Sequence, residues 1–129
     1  MILKRPAVSV DRNSASESLV SVATYVPIKR WIDVPKAFRL SSRVEKQLRQ
    51  SDGIVTYSLA INPLRRQFWT YSVWSDHAAM KAFVAGQPHA TAIERYREWA
   101  DQGSAFAEWE STSNRLDWNE AFERLSKPR

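Results

Sequence analysis

The stretch Phe68-Trp-Thr-Tyr-Ser-Val-Trp74 decides the fold of this chain. Aromatic and β-branched residues are typical of a strand, and alternate residues of a strand point to opposite faces of the sheet. The preceding Asn62-Pro-Leu-Arg-Arg66 is typical of a turn, and Ile54 to Ile61 alternates as a second strand before it. The sequence therefore predicts a β-hairpin with bulky side chains on both faces of its second strand.

A strand and a helix precede this hairpin. Leu19 to Ile28 alternates and is rich in β-branched residues. Asp33 and Pro35 then favour a helix start, because aspartate can cap and proline suits the first turn. The predicted helix runs to about Gln50, and its inward positions at three- and four-residue spacing are Ala37, Phe38, Ser41, Val44 and Leu48.

Four further elements follow the hairpin, each marked by a cap or a terminator. They are a short helix capped by Ser75 or Asp76, a helix from Pro88 to about Ala100, a strand over 105–111, and a C-terminal helix with Asp117 and Glu120 as a capping box.

The order β-α-β-β-α-β predicts an α+β fold. Because crossovers are right-handed, it gives a ferredoxin-like, four-stranded antiparallel sheet with helices on one face. We expect one domain over residues 19–129, with the C-terminal helix added. Residues 1–18 are expected to form a flexible N-terminal arm, although Ala7–Val10 has the pattern to add to a sheet edge.

In this layout one sheet face has no cover within the monomer. Either Trp69, Tyr71 and Val73 or their neighbours Phe68 and Trp74 lie on it. A bare aromatic face of this size is an association surface. The sequence therefore predicts a homodimer through the open sheet face, a dimeric α/β barrel.

Composition excludes several classes of chemistry. The chain has 129 residues, no cysteine and three glycines, so disulfides, thiolate nucleophiles and glycine-rich phosphate loops are excluded. Its two histidines lie twelve apart without matching carboxylates, which gives no zinc or non-haem iron site. We therefore expect neither a nucleotide nor a metal cofactor.

Two expectations about location follow from hydropathy. No apolar run approaches the ~20 residues that span a bilayer, so no membrane span is expected. The start, Met1-Ile-Leu-Lys-Arg-Pro6, lacks the pattern of a signal peptide. We expect a cytoplasmic protein.

The net charge of +5 raises the alternative of nucleic-acid binding. Much of the excess recurs at helical spacing as Lys36, Arg39, Arg43, Lys46 and Arg49, which is typical of a solvated helix face. No helix-turn-helix, zinc-finger or ribonucleoprotein signature accompanies it. The pattern does not favour a nucleic-acid partner.

His89 is the candidate catalytic residue. It lies four residues before Ile93 and seven before Tyr96, so the three share one helix face. In the first turn the helix dipole favours neutral imidazole, which can take a proton from a phenol or ligate haem iron. The alternative is a core histidine bonded to a backbone carbonyl or a tyrosine. We expect Trp74 and Phe83 to border the same pocket.

The strand Phe68–Trp74, followed by Asp76, Phe83 and Pro88-His89, resembles the dimeric α/β-barrel superfamily of the antibiotic biosynthesis monooxygenases and the spheroidene monooxygenase-like proteins. The resemblance covers about residues 19–113. It implies a pocket between sheet and helices in each protomer. Members of this superfamily oxidise polycyclic aromatic compounds without a cofactor, degrade haem or bind haem. Where the haem-degrading branch has a tryptophan this chain has Phe83, and His89 falls several residues early.

The resemblance and the candidate residues together favour a small monooxygenase-type enzyme acting on a hydrophobic, aromatic or polyketide-like molecule. His89 would remove a proton, and Trp74, Phe83, Ile93 and Tyr96 would form the substrate pocket. The alternatives are a haem-binding protein with a histidine axial ligand and a non-catalytic ligand-binding barrel protein.

Overall fold

The computed structural model describes residues 2–10, 18–111 and 115–127. Its strands are β1 (Leu3–Lys4), β2 (Val8–Ser9), β3 (Leu19–Pro27), β4 (Ile54–Asn62), β5 (Gln67–Trp74) and β6 (Ala105–Ser111). Its α-helices are α1 (Val34–Arg49), α2 (His77–Ala85), α3 (His89–Trp99) and α4 (Trp118–Ser126), and two 3₁₀ turns span Trp31–Asp33 and Pro63–Arg65. None of the helices in these residues is long and apolar enough to cross a membrane.

The sheet confirms the predicted ferredoxin-like fold. Its strand order is β1-β4-β5-β3-β6, and every pairing is antiparallel. The four predicted strands are neighbours in it, in the order β4-β5-β3-β6, as the order β-α-β-β-α-β requires. Helices α1, α2 and α3 cover one face, where Val22, Tyr57 and Trp74 pack with Leu48 of α1 and Met80 of α2.

Two short strands that were not in the predicted count extend the sheet at the β4 edge. Val8 in β2 lies opposite Tyr57, and the Val10 N–H donates to the Val55 carbonyl at 2.8 Å. The predicted arm over residues 1–18 therefore lies along the sheet edge where it is described, and Ala7–Val10 adds to that edge. Residues 11–17 of that arm lie outside the described residues.

Helix α4 lies on the other face of the sheet, so the prediction that this face is uncovered is wrong. Trp69 is only 8% exposed and Tyr71 only 2%. The Trp69 ring packs on Phe122 at 5.7 Å, and Tyr71 packs on Trp118 at 5.4 Å. The apolar stripe of α4 needs a surface to bury, and the second face of β5 supplies it. This face is therefore not a reason to expect a homodimer.

The helix starts follow the predicted caps, with one exception. Asp76 accepts from the Ala79 N–H at 2.7 Å, and the Asp117 side chain accepts from the N–H groups of Asn119 and Glu120. The Asp117 N–H donates to the Tyr71 hydroxyl rather than to the Glu120 side chain, so only half of the predicted capping box forms. Asp33 does not cap α1.

Asp33 is instead a buried carboxylate with two cationic partners. Arg30 lies 3.0 Å from it and Lys36 lies 3.7 Å away. Sequence position alone does not separate a cap from an ion pair, because both place an acid next to the first helical turn.

Candidate functional site

A large cavity lies along the sheet, lined by helices α1 to α3 and also by Leu125 and Lys127 at the end of α4. Its volume is about 830 Å³, and most of its walls are apolar or aromatic. Strand β5 contributes Phe68 near one end and Trp74 near the other, which sets a length of roughly 20 Å at ~3.3 Å per residue. Phe38 of α1, predicted to face inward, lines the first end but is 48% exposed. The cavity is therefore open beside Phe38.

All five side chains that the sequence singled out line this cavity: His89, Trp74, Phe83, Ile93 and Tyr96. Trp74 and Phe83 pack with their ring centroids 5.2 Å apart, and Phe83 and His89 lie 4.7 Å apart. The three rings come from β5, α2 and α3, so they meet only because the two helices lie side by side on the sheet. They form the end of the cavity opposite Phe38.

His89 is the first residue of α3 and is held by its neighbours on α2. Its Nδ1 lies 3.1 Å from the Val84 carbonyl oxygen, which can only accept a hydrogen bond. Nδ1 therefore carries the proton, and Nε2 keeps its lone pair. A core histidine would make the same bond, but that bond uses only one of the two ring nitrogens.

Burial favours the neutral form of the His89 imidazole. Burial lowers its pKa below the ordinary value of 6.5, and the hydrogen bond to the Val84 carbonyl opposes that shift only in part. The sequence predicts the neutral form from the helix dipole, whereas burial is the main cause in the structure. A neutral imidazole with a free lone pair can accept a proton or bind a metal.

The hydroxyl of Tyr96 is engaged by α1. It donates to the Ala37 carbonyl at 3.1 Å and also bonds to the Ser41 hydroxyl. Burial raises the pKa of Tyr96, and the bond with Ser41 opposes this. Tyr96 therefore ties α3 to α1 and contributes its ring to the wall, and its hydroxyl is already satisfied.

Gln47 of α1 is a site residue that the sequence did not reveal. Its Oε1 accepts from the His89 N–H at 2.8 Å, and its Nε2 donates to the Phe83 carbonyl at 3.0 Å. One amide therefore fixes the junction of α2 and α3 against α1. A single polar residue within an amphipathic helix gives no sequence signal of this role.

A polar stripe lies on the floor of the cavity. The hydroxyls of Thr24 and Thr70 bond to each other across β3 and β5, and the Trp74 indole N–H donates to Ser72 at 2.9 Å. In the sequence, the alternation Thr70-x-Ser72 within Phe68–Trp74 is the pattern that places these hydroxyls on one face of the strand. These hydroxyls give an otherwise apolar cavity a few groups that can orient a ligand's oxygen atoms.

Glu45 also lines the cavity, but its carboxylate charge is balanced by neighbouring arginines. It accepts from Arg5 and Arg49, each at 3.1 Å, and from the Tyr57 hydroxyl at 2.9 Å. Burial acts to raise the pKa of Glu45, but the bonds from Tyr57 and Arg5 and the charges of Arg5 and Arg49 outweigh it and lower the pKa. Because its oxygens already accept from three side chains, Glu45 is less available to a ligand as a proton acceptor than His89.

His77, the other histidine, lies outside the cavity. Its ring is about half exposed, and its Nδ1 lies 3.2 Å from Glu108. In the part of the chain that the structure describes, no three His, Asp or Glu side chains converge in a way that could hold a metal ion.

Solved structures share this fold. An antibiotic biosynthesis monooxygenase aligns over 73% of this chain and 99% of its own, with a TM-score of 0.65 and 16% identity. SnoaB, a cofactor-independent oxygenase from Streptomyces nogalater, aligns over 78% of this chain and 97% of its own, with a TM-score of 0.56 and 14% identity. A conserved protein from Methanosarcina mazei Go1 aligns over 74% and 94%, with a TM-score of 0.65 and 11% identity.

These likenesses confirm the fold that the sequence resemblance predicted, that of antibiotic biosynthesis monooxygenase-like proteins. At such identities they show the fold alone. No family model matches the sequence, and no curated protein matches it.

Proposed function

We propose that this chain is a small monooxygenase-type enzyme acting on a hydrophobic, aromatic or polyketide-like molecule, without a nucleotide or metal cofactor. The observation that carries the proposal is the imidazole of His89, bonded through Nδ1 to the Val84 carbonyl, in the wall of a largely apolar cavity of about 830 Å³. Structural neighbours that are monooxygenases, one of them cofactor-independent, support it.

The proposed reaction begins with proton transfer to Nε2 of His89. The bond from Nδ1 to the Val84 carbonyl keeps the ring in the tautomer that accepts at Nε2. Removing a proton from an activated C–H or O–H group leaves an electron-rich enolate or phenolate. This anion transfers an electron to O₂, and the two radicals combine to form a peroxide on a ring carbon.

The peroxide then breaks its O–O bond. For a CH₂ group between activating rings, the second hydrogen of that carbon leaves as a proton, a C=O group forms, and the other oxygen leaves as water. One O₂ and one CH₂ group thus give one carbonyl and one water, and the substrate itself supplies the electrons. The proton held by His89 is returned in that water.

The cavity contributes the orientation of the substrate. Phe83 and Trp74 offer ring faces against which a flat molecule can stack. The hydroxyls of Thr24, Thr70 and Ser72 on the floor can hold the oxygen atoms of such a molecule. Fixing the reacting carbon near His89 contributes more to the rate than base strength alone.

Exchanging each histidine in turn tests this proposal. The chain has two histidines, so His77→Ala is a matched control for His89→Ala. With electron-rich anthrones and polycyclic phenols as probes, we expect O₂ consumption to fall about 10²- to 10⁴-fold in His89→Ala and to stay unchanged in His77→Ala. If the unaltered protein consumes no O₂ with any probe, the proposal that it is an enzyme is wrong. If His89→Ala keeps full activity, only the proposal that His89 is the base is wrong.

A haem-binding protein is the second candidate, because the same observation supports it. A histidine whose Nδ1 donates to a carbonyl presents Nε2 to a metal, as axial haem ligands do. Haem bound there would supply iron as the oxygen-binding centre. Titration with haem separates the candidates: a Soret band that shifts in His89→Ala favours this one, and no binding excludes it.

We also propose a cytoplasmic location and a homodimer, the latter through a surface other than the sheet face that α4 covers. The proposed site lies within one protomer, so the reaction does not require pairing. Light scattering of the purified protein and fractionation of expressing cells test the two expectations.

A further inference from the structure

Two 3₁₀ turns at the end of the molecule beside Phe38 expose bulky apolar side chains. Trp31 is 56% exposed, Ile32 67% and Leu64 77%, and we call these three residues the apolar tip. The turns lie together because the Arg66 guanidinium sits 5.1 Å from the centre of the Trp31 ring, and its Nε donates to the Ile28 carbonyl at 3.0 Å. Large apolar side chains gathered on exposed turns mark an interaction surface.

The two segments that carry the apolar tip are rich in cations. Residues 27–40 and 62–67 contain six of them, namely Lys29, Arg30, Lys36, Arg39, Arg65 and Arg66. The one acid in these two segments is Asp33, which is buried and paired with Arg30 and Lys36. Asp101 adds an acid at the border, where its N–H donates to the Pro27 carbonyl at 2.8 Å. The segments that form the tip therefore carry exposed apolar side chains together with six cations and one paired acid.

The apolar tip lies beside the open end of the cavity. Phe38, half exposed, packs edge-on against Phe68 with ring centroids 5.1 Å apart, and both rings line the cavity. Phe68 follows Arg66 by two residues in β5. A hydrophobic molecule that crosses from the tip to the cavity thus stays close to apolar side chains.

We propose that the apolar tip docks this protein on the surface of an anionic lipid bilayer. Tryptophan favours the headgroup level of a membrane, and short aliphatic side chains insert just below it. Lysine and arginine in the same segments are attracted to anionic headgroups. Each signal alone gives weak binding, and together they hold a protein at the interface. The proposal concerns this surface only and does not depend on the oxygen chemistry.

Other occupants fit the surface less well. A symmetric homodimer that pairs through the tip would place the cations of one copy against those of the other, because a two-fold interface uses the same surface of both copies. A nucleic acid would satisfy the cations, but it offers nothing to Ile32 and Leu64. A bilayer of zwitterionic lipid would satisfy the apolar residues and leave the cations without counter-charge.

Co-sedimentation with vesicles tests the proposal without any substrate. The probes are vesicles of mixed phosphatidylglycerol and phosphatidylcholine, and vesicles of phosphatidylcholine alone. We expect the full chain to bind the anionic vesicles and to bind phosphatidylcholine at least about tenfold more weakly. The double variant Ile32→Ser/Leu64→Ser removes apolar groups that are already exposed, so the fold is kept. It should lose about tenfold or more in partitioning.

Charge variants complete the test. Lys29→Gln/Arg65→Gln should weaken binding to the anionic vesicles several-fold. Lys46→Gln/Lys81→Gln removes the same charge from exposed positions near the other end of the molecule, and it should bind like the unaltered protein. Circular dichroism and thermal melting of each variant confirm that it is folded.

Three results would overturn the proposal. The first is no binding of the full chain to anionic vesicles. The second is equal binding by Ile32→Ser/Leu64→Ser or an equal loss in Lys46→Gln/Lys81→Gln, which would assign the binding to general charge. The third is evidence that the tip holds two copies of the chain together. In that case the unaltered chain would not bind vesicles, and its mass in light scattering would halve in the Ile32→Ser/Leu64→Ser variant.

Discussion

Replacing Gly53 by alanine tests how tightly α2 is seated against the turn that leads into β4. Gly53 has φ of +85°, in the left-handed region, and its carbonyl accepts from the Ser75 N–H at 2.7 Å. A methyl group built on Gly53 lies 2.5 Å from the Cβ of Ala79 in α2 and 2.8 Å from the Ser75 hydroxyl. Gly103 is a matched control, since its φ is +98° and a methyl group there meets nothing within 4 Å.

The expected cost separates into a backbone part and a packing part. The left-handed conformation costs an alanine about 1–2 kcal/mol, and both variants bear this cost. At Gly53 the methyl group must also move about 1 Å from Ala79 to reach the ~3.5 Å of a carbon–carbon contact. Alanine has no rotamers to give way, so α2 itself must shift, at about 1–3 kcal/mol. Gly53→Ala should therefore lose roughly 2–5 kcal/mol, and Gly103→Ala about 1–2 kcal/mol.

Urea unfolding followed by tryptophan fluorescence measures both free energies of unfolding, and six tryptophans give the signal. In thermal melts the difference between the two variants should be roughly 4 °C for each kcal/mol. Adding Ala79→Gly to Gly53→Ala should recover part of the packing loss, although glycine within α2 costs about 1 kcal/mol of its own. Equal losses in the two single variants would show that α2 does not pack on this turn.

Two further predictions concern the surroundings of His89. Its pKa is lower in the folded chain than its ordinary 6.5, so the unfolded chain binds more protons. The native protein should then be fully stable above pH 6.5 and should lose stability relative to His89→Gln as pH falls through the folded-state pKa. A difference in urea midpoint that stays constant from about pH 8 to 5 would contradict this. Gln47→Leu removes two hydrogen bonds, to His89 and Phe83, and should lower the free energy of unfolding in urea by about 1–3 kcal/mol. Gln50→Leu is the control, because Gln50 is exposed and lies one turn away, and it should cost little. Equal costs in the two variants would refute the role of Gln47.

The central fold was predictable because local pattern and chain topology agree. Alternation over Leu19–Pro27 and Gln67–Trp74 predicts strands, and right-handed crossovers leave one strand order for them. The position of α4 was not predictable. Its stripe of Trp118, Ala121, Phe122 and Leu125 shows that the helix packs, but β5 carries bulky aromatic side chains on both faces. The pattern therefore does not say which face receives the helix.

The wall of the candidate site was predictable, and the contacts that hold it were not. His89, Ile93 and Tyr96 share a helical stripe, so their common orientation follows from spacing. The bond from His89 to the Val84 carbonyl depends on how α2 ends, and the Gln47 contacts depend on how α1 lies against that end. Both are tertiary contacts between side chain and backbone, which residue spacing does not encode.

The amide of Gln47 also bears on regiochemistry. It joins α1 to the α2–α3 junction beside His89, whereas Phe38 leaves the far end of the cavity half open. A long, flat molecule that slides in past Phe38 therefore meets the imidazole with its leading ring and leaves its trailing part at the mouth. On the proposed reaction, the carbon that is oxidised lies near the leading end of the molecule, and bulky groups are accepted only on the opposite end.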